Sequence, residues 1–262
     1  MGTAAAPAMS ERLLQVRGLA KHFQGLRAVD DVSFDVARGE LVGLIGPNGA
    51  GKTTLFNCVA GAIARTSGDV EFQGRSIAGL DPGRIARLGI ARTYQNLRIF
   101  PDITVFDNVS AGAIGRLGIS LFGTLIPGVG RKRDEAIADA ALAALERFDL
   151  LSFADQPAGN LAYGQKKHLE IARALALQPT LLLLDEPAAG LNDTETGELA
   201  SRLRALRDAG LTILLVEHDM PMVMRICDRI IVLDSGRKIA EGAPAAIRAD
   251  TAVRAAYLGD EP

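Results

Sequence analysis

Two hydrophobic textures alternate along the chain. Residues 31–36 (DVSFDV) switch polar and apolar at period two, which predicts a strand with one wet face. Residues 41–46 (LVGLIG), 181–185 (LLLLD) and 211–217 (LTILLVE) are apolar runs of the kind that fill short strands buried on both faces of a parallel sheet. Helical patterns lie between them. One covers 52–60 and stops at Gly61. Another covers 194–209, opened by Asn192 or Asp193 and closed by Gly210, a C-terminal cap signal. Buried strands alternating with helices predict an α/β fold, a parallel sheet covered on both faces.

The middle of the chain differs. From about 93 to about 172 there is no strong buried-strand run. Residues 134–148 place Ile137, Ala141, Leu145 and Phe148 on one helical face, and 168–175 continue in helical register. This reads as a helical insert in the α/β core. Asp234-Ser235-Gly236 between the apolar stretch 230–233 and residues 238–240 predicts a hairpin turn. The opening MGTAAAPAMS is small and alanine-rich, lacks a basic-then-apolar secretory pattern, and reads as a disordered tail. The most membrane-like stretch is 109–130. Arg116 interrupts it and leaves 14 uncharged, glycine-dense residues at 117–130, short of the ~18 apolar residues that a span needs.

Composition narrows the class. The chain has 262 residues, 29 Lys and Arg against 31 Asp and Glu, and a net charge of −2. That balance argues against a nucleic-acid or anionic-membrane binder that works through bulk charge. The length supports a large core without metal or disulfide staples. Cys58 and Cys227 lie far apart with no CxxC spacing, so neither a disulfide framework nor a zinc site is supported, and the expected compartment is reducing.

Residues 46–54 read GPNGAGKTT, after a buried apolar run and before a helix. This is the phosphate-loop pattern in the context that gives it meaning. Glycines let the backbone wrap a polyphosphate with its N–H groups pointing inward, and the helix N-terminus adds positive dipole. The candidate contacts are Gly46, Pro47, Asn48, Gly49, Ala50, Gly51, Lys52, Thr53 and Thr54. Lys52 reaches the β- and γ-phosphates, and Thr53 offers its hydroxyl to Mg²⁺. Residues 181–187 (LLLLDEP) end an apolar strand on two acids, where phosphates and Mg²⁺ gather. Asp185 suits the Mg²⁺ shell and Glu186 the activation of the attacking water. A solvated acidic turn is the plain reading of such a strand end, and the phosphate loop shifts the balance. Between the two lies LAYGQ, with Gly164 at a helix start offering a second phosphate-binding edge. His218 follows the last buried strand and could donate to a γ-phosphate, though a lone histidine is more often structural or solvent-facing. Gln95 sits at the entrance to the helical insert and could sense Mg²⁺ or the water, though a lone glutamine is nearly always bland. Phe23 could stack its ring on adenine, though a lone phenylalanine is far more often core.

Phe23, GPNGAGKTT, Gln95, LAYGQ, LLLLDEP, AAGLN and His218, in that order, resemble the ATP-binding subunit of an ABC transporter, over nearly the whole chain. The segments ARTYQNLRIFPDITVFDNV, LAYGQKKHLEIARAL, LDEPAAGLN, LVEHDMPMVM and AAYLGD resemble more closely the ATPase of branched-chain amino-acid importers. The resemblance implies a P-loop NTPase nucleotide-binding domain, with a RecA-like parallel-sheet core, an antiparallel β subdomain and a helical subdomain. It divides the chain into a tail at 1–10, core and antiparallel β at 11–92, the helical subdomain at 93–172, further core at 173–243, and a C-terminal helical tail at 244–262. Two such domains would pair head to tail, as a homodimer or with a paralogous ATPase. ATP and Mg²⁺ would lie between the phosphate loop of one and Ala162, Tyr163, Gly164 and Gln165 of the other. Thr53, Gln95 and Asp185 would serve the metal; Glu186, His218, Gln95 and Lys52 would serve hydrolysis. The implied partners are membrane permeases and, indirectly, a periplasmic or extracellular solute-binding protein, with no nucleic acid. The implied place is the cytoplasmic face of a bacterial inner membrane, held peripherally.

Three departures stand out. The common signature is LSGGQ, whereas here Ala162 has no hydroxyl and Tyr163 replaces a glycine. Contacts across the dimer should then rest on backbone and dipole, unless a paralogous partner supplies the serine. Asn192 stands where an aspartate is usual, and Phe23 where a tyrosine is frequent. Other readings are urea or amide uptake, lipopolysaccharide export, a regulatory ATP-holding module, or a soluble ABC protein. A single phosphate loop argues against a translation factor, and only 133 residues from Lys52 to Asp185 leave no room for the coiled coil of a repair ATPase. Glu186 argues against a module that never turns over ATP.

Overall fold

In the computed structural model, which describes residues 12–95, 97–117 and 129–258, the alternating stretch at 31–36 lies within strand β2 (Leu26–Ala37). Val32, Phe34 and Val36 are buried and Ser33 is exposed, so one face is wet as the alternation predicts. β2 pairs antiparallel with β1 (Arg12–Phe23), β1 with β4 (Ser67–Phe72), and β4 with β5 (Arg75–Ser76). β1 escapes the sequence reading because its register slips between Val16 and Leu19 and again before His22, which breaks the two-residue period.

Contacts divide the chain into two units, Met1–Pro82 with Arg204–Pro262, and Gly83–Leu203. The first unit holds that antiparallel sheet and four strands of a second sheet. These are β3 (Leu41–Ile45), β8 (Thr212–Val216), β9 (Arg229–Asp234) and β10 (Arg237–Gly242). β3 runs parallel to both β8 and β9, and β9 turns through Ser235-Gly236 into antiparallel β10, the expected hairpin. All five residues of β3 and of β8 are buried, as unbroken apolar runs require. Helix α1 (Lys52–Val59) follows β3, and α7 (Met220–Ile226) follows β8. Two short helices, α8 (Pro244–Ala249) and α9 (Thr251–Leu258), come last. Cys58 and Cys227 are free and buried here, and burial pushes both thiols up, Cys227 to about 12.

The second unit carries α2 (Pro82–Leu88), β6 (Ile90–Arg92) and β7 (Leu181–Asp185), with β6 parallel to β7. Between these strands lie α3 (Val105–Leu117), α4 (Val129–Glu146) and α5 (Tyr163–Leu175), the helical insert. Of the predicted face, Ala141, Leu145 and Phe148 are buried and Ile137 is half-buried, and Phe148 lies just past the end of α4. Both predicted helices begin earlier than their apolar spacing suggested, α4 at Val129 and α5 at Tyr163. Their first turns are polar or glycine-bearing, so hydrophobic period alone misses them. α6 (Asp193–Asp208) follows β7 and contains the boundary between the units. Asn192 opens it, accepting Glu195 N–H at 3.0 Å while Glu195 Oε2 accepts Asn192 N–H at 3.0 Å, a reciprocal capping box.

Among the described residues no helix is long and apolar enough to cross a membrane. The expected tail at 1–10 lies outside the described residues, as does 118–128 of the membrane-like stretch.

Candidate active site

Residues 46–54 turn the chain from β3 into α1, in the first unit. Gly51 is the N-cap of α1 at φ 96°, and a Cβ there would stand 2.2 Å from the Ala28 carbonyl oxygen. Only glycine allows that left-handed turn so close to the neighbouring strand. No side chain caps α1, which leaves its first-turn N–H groups directed at the loop. Lys52 is buried, and its Nζ donates to the carbonyls of Gly46 at 2.8 Å and Pro47 at 3.0 Å, which holds the ammonium over the loop. Ala50 N–H donates to Pro47 O at 3.2 Å and closes the turn. Asn48, Gly49 and Thr53 are exposed, while Thr54 is half-buried.

Phe23 ends β1 at a hairpin whose turn is Gln24-Gly25. Its ring is exposed, with Lys21 Nζ 4.7 Å from the centroid. His218 is exposed between β8 and α7. Its N–H and that of Asp219 donate to Glu217 Oε2 at 3.0 and 3.4 Å, and Asp219 Oδ1 accepts Met222 N–H at 2.8 Å to cap α7. Glu217, buried at the end of LTILLVE, therefore shapes the turn that presents His218. A lone acid closing an apolar run was its signal in the sequence, one that periodicity alone does not separate from a solvated strand end.

In the second unit, β7 delivers Asp185 to a buried position, where Arg92 Nη2 stands 3.0 Å from Asp185 Oδ2. Arg92 closes the adjacent strand β6, and both partners are nearly fully buried, so neither charge tolerates loss of the other. An arginine closing an apolar strand, three residues before Gln95, was the available hint. Glu186 follows at φ 50°, a left-handed backbone that costs a glutamate ~1–3 kcal/mol and is typical of working sites. Gln95 Nε2 donates to Glu186 Oε2 at 2.9 Å, so two residues predicted for one task do meet.

The signature segment opens α5. Ala162 is the N-cap and supplies no side-chain acceptor; its own N–H donates to Gln165 Oε1 at 2.9 Å, leaving half a capping box. Tyr163 and Gly164 form the first turn. A Cβ on Gly164 would lie 2.7 Å from Glu195 Oε1, so the signature glycine fits tightly against α6.

A groove of about 440 Å³ lies on the same unit, with Tyr94, Arg98, Phe100, Glu170 and Arg173 among its walls. Arg98 stacks over the Tyr94 ring at 4.2 Å, and Arg173 over Phe100 at 5.8 Å. Glu170 Oε1 accepts Tyr94 N–H at 3.3 Å, and burial raises its carboxyl above the usual range. Asn108, fully buried, ties down the segment beside the groove. Its Oδ1 accepts Phe100 N–H at 2.8 Å, and its Nδ2 donates to Phe100 O and Thr104 O, each at 2.9 Å. A single asparagine on a helix gave no sequence signal for this.

Residues 29–189 match the family model described as "ABC transporter". The chain belongs to the ABC transporter ATP-binding family. Members of this family hydrolyse ATP to power transport, and the present chain is one of its cassettes. Residues 237–262 also match a model described as "Branched-chain amino acid ATP-binding cassette transporter". The high-affinity branched-chain amino acid transport ATP-binding protein LivG of Salmonella typhimurium is 47% identical, over 96% of this chain and all of that one. BraF of Pseudomonas aeruginosa, similarly described, is 44% identical over 96% of this chain. Among solved structures, a nucleotide-free ATP-binding cassette of an ABC transporter has a TM-score of 0.83 at 31% identity, covering 95% of this chain and 100% of its own. A dimeric post-hydrolysis cassette bound to ADP and Pi has a TM-score of 0.75 at 25% identity, covering 88% of this chain and 99% of its own. The ABC cassette fold expected from the seven ordered motifs is thus established.

Proposed function

We propose that this cassette works as one of a pair and energises the import of amino acids, branched-chain ones foremost, through separate membrane permeases. The relatives' descriptions and the model matched at 237–262 support that cargo class. The pair is a homodimer or joins a paralogous ATPase, and a solute-binding protein outside the membrane completes the assembly. In this reading the chain sits peripherally on the cytoplasmic face of the bacterial inner membrane.

Residues 46–54 wrap the triphosphate through backbone N–H groups, and Lys52 turns its ammonium from Gly46 and Pro47 onto the β- and γ-oxygens. Phe23 stacks on adenine. The family resemblance assigns Thr53, Gln95 and Asp185 to Mg²⁺, and each offers a hard oxygen of the kind that ion takes, a hydroxyl, an amide carbonyl and a carboxylate. The metal, when bound, neutralises charge on the phosphate oxygens. Glu186 takes a proton from the attacking water, and His218 donates to the γ-phosphate. Ala162, Tyr163, Gly164 and Gln165 meet the nucleotide of the opposite cassette through backbone groups and the α5 dipole. Asn192, an amide where an aspartate is usual, carries the contact between subunits.

The observation that carries the coupling is the 2.9 Å hydrogen bond from Gln95 to Glu186. It ties the acid to the segment that Asn108 fixes beside the groove, where Phe100 and Ile103 are exposed apolar side chains. Segment 97–105 therefore faces the permease, and Gln95 relays its movement to Glu186. Crosslinkers placed along 97–105 in intact membranes are expected to capture a transmembrane subunit. Capture of soluble proteins only, at every position, contradicts the assignment.

A further inference from the structure

Tyr163 is half-exposed, yet its hydroxyl is spent on the protein itself, donating to the Ala189 carbonyl at 3.2 Å. Its ring lies against Gly190, which holds φ 82°; a Cβ there would come within 2.9 Å of Tyr163 Cε1. One helical turn along α5, Lys167 points the same way. Its Nζ donates to the Glu186 carbonyl at 3.4 Å and lies 6.0 Å from the Tyr163 ring centroid. The short loop that begins at Glu186 is thus held at both ends by a single turn of α5. Lys167 grips the residue that bears the acid, and Tyr163 grips the loop three residues on. Gly164 packs on Glu195, which caps the start of α6 and anchors the exit of the same loop.

The loop has reason to move when this grip changes. Glu186 sits in left-handed backbone and Gly190 in another left-handed turn, so the segment is strained at one end and pliable at the other. A small shift in the first turn of α5 reaches the Glu186 backbone through two hydrogen bonds within one compact unit. Ala162 cannot share this task, having no polar side-chain atom.

We propose that Tyr163 is a positioning residue for hydrolysis: its phenol latches the 186–190 loop to the signature turn, so that engagement of this edge sets the Glu186 carboxylate in the same chain. ATP held by the opposite cassette thereby adjusts this cassette's own acid. The inference rests on the reading of Glu186 as the base and of residues 162–165 as the edge that meets ATP.

Tyr163→Phe tests the latch, because it keeps the ring on Gly190 and removes only the donor. With ATP and Mg²⁺, a single hydrogen bond net of solvent implies a fall in kcat of about three- to tenfold. KM and the Kd for a fluorescent ATP analogue stay at wild-type values, and the thermal midpoint falls by no more than about 2–4 °C, the loss of one hydrogen bond, a split that simple loss of packing would not produce. Wild-type kcat in the variant overturns the latch. So does a rise in Kd that accounts for the whole rate loss, which would make Tyr163 a nucleotide contact alone. Glu186→Gln run in parallel separates the layers. If it turns over normally the base assignment fails; if it is inactive while Tyr163→Phe is normal, only the latch fails.

Discussion

Lys52→Ala is expected to remove ATP binding. The ammonium is the one positive side chain in the 46–54 loop, and two short hydrogen bonds to Gly46 and Pro47 already hold it there. A charge-assisted contact to phosphate contributes ~1.5–3 kcal/mol, and the proposed site gives Lys52 two phosphates, so affinity should fall at least about 100-fold. Filter binding at micromolar nucleotide would then retain no ATP. The alanine also leaves a small void and two carbonyls without their donor, so the thermal midpoint is measured beside it, with a modest drop expected. Full ATP retention by a folded Lys52→Ala protein would remove the loop from the account.

Glu186→Gln is expected to do the reverse, keeping ATP and losing turnover. The change is isosteric, and the new amide can still meet Gln95, whose own amide is 2.9 Å from the present carboxylate. Glutamine tolerates the φ 50° backbone about as well as glutamate does. What disappears is the proton acceptor, and loss of a general base costs ~10²–10⁴ in rate. Because ATP stays bound and uncut, paired cassettes should accumulate, visible as an ATP-dependent shift to dimer in size-exclusion chromatography. Unchanged hydrolysis in the variant would reassign the base.

The parts of this molecule legible in its sequence are those where one physical constraint acts alone. Residues 41–45, 181–185 and 212–216 are buried on both sides, so apart from Thr212 at one start and Asp185 at one end they hold no polar residue, and their strands stand where the apolar runs lie. The phosphate loop is legible because its glycines answer a steric demand, as the 2.2 Å approach of Ala28 to a Cβ on Gly51 makes plain. Strand β1 was not legible, since its register shifts let Gly18 and neighbouring polar residues interrupt the alternation. Nor were the residues that hold the acids and the His218 turn. Arg92, Lys167 and Glu217 act through contacts at long sequence separation or through burial, and neither leaves a periodic trace. Tyr163 was legible only as a departure from LSGGQ; its hold on Ala189 required the loop and the helix turn to be seen side by side.

In this reading the chain cuts ATP with Glu186 as its base. The most direct measurement is magnesium-dependent release of inorganic phosphate by the purified chain, alone and mixed with a paralogous cassette, with the Glu186→Gln protein alongside. Steady release that the substitution reduces to background is the predicted result. Retention of no ATP and release of no phosphate in either pairing would contradict it.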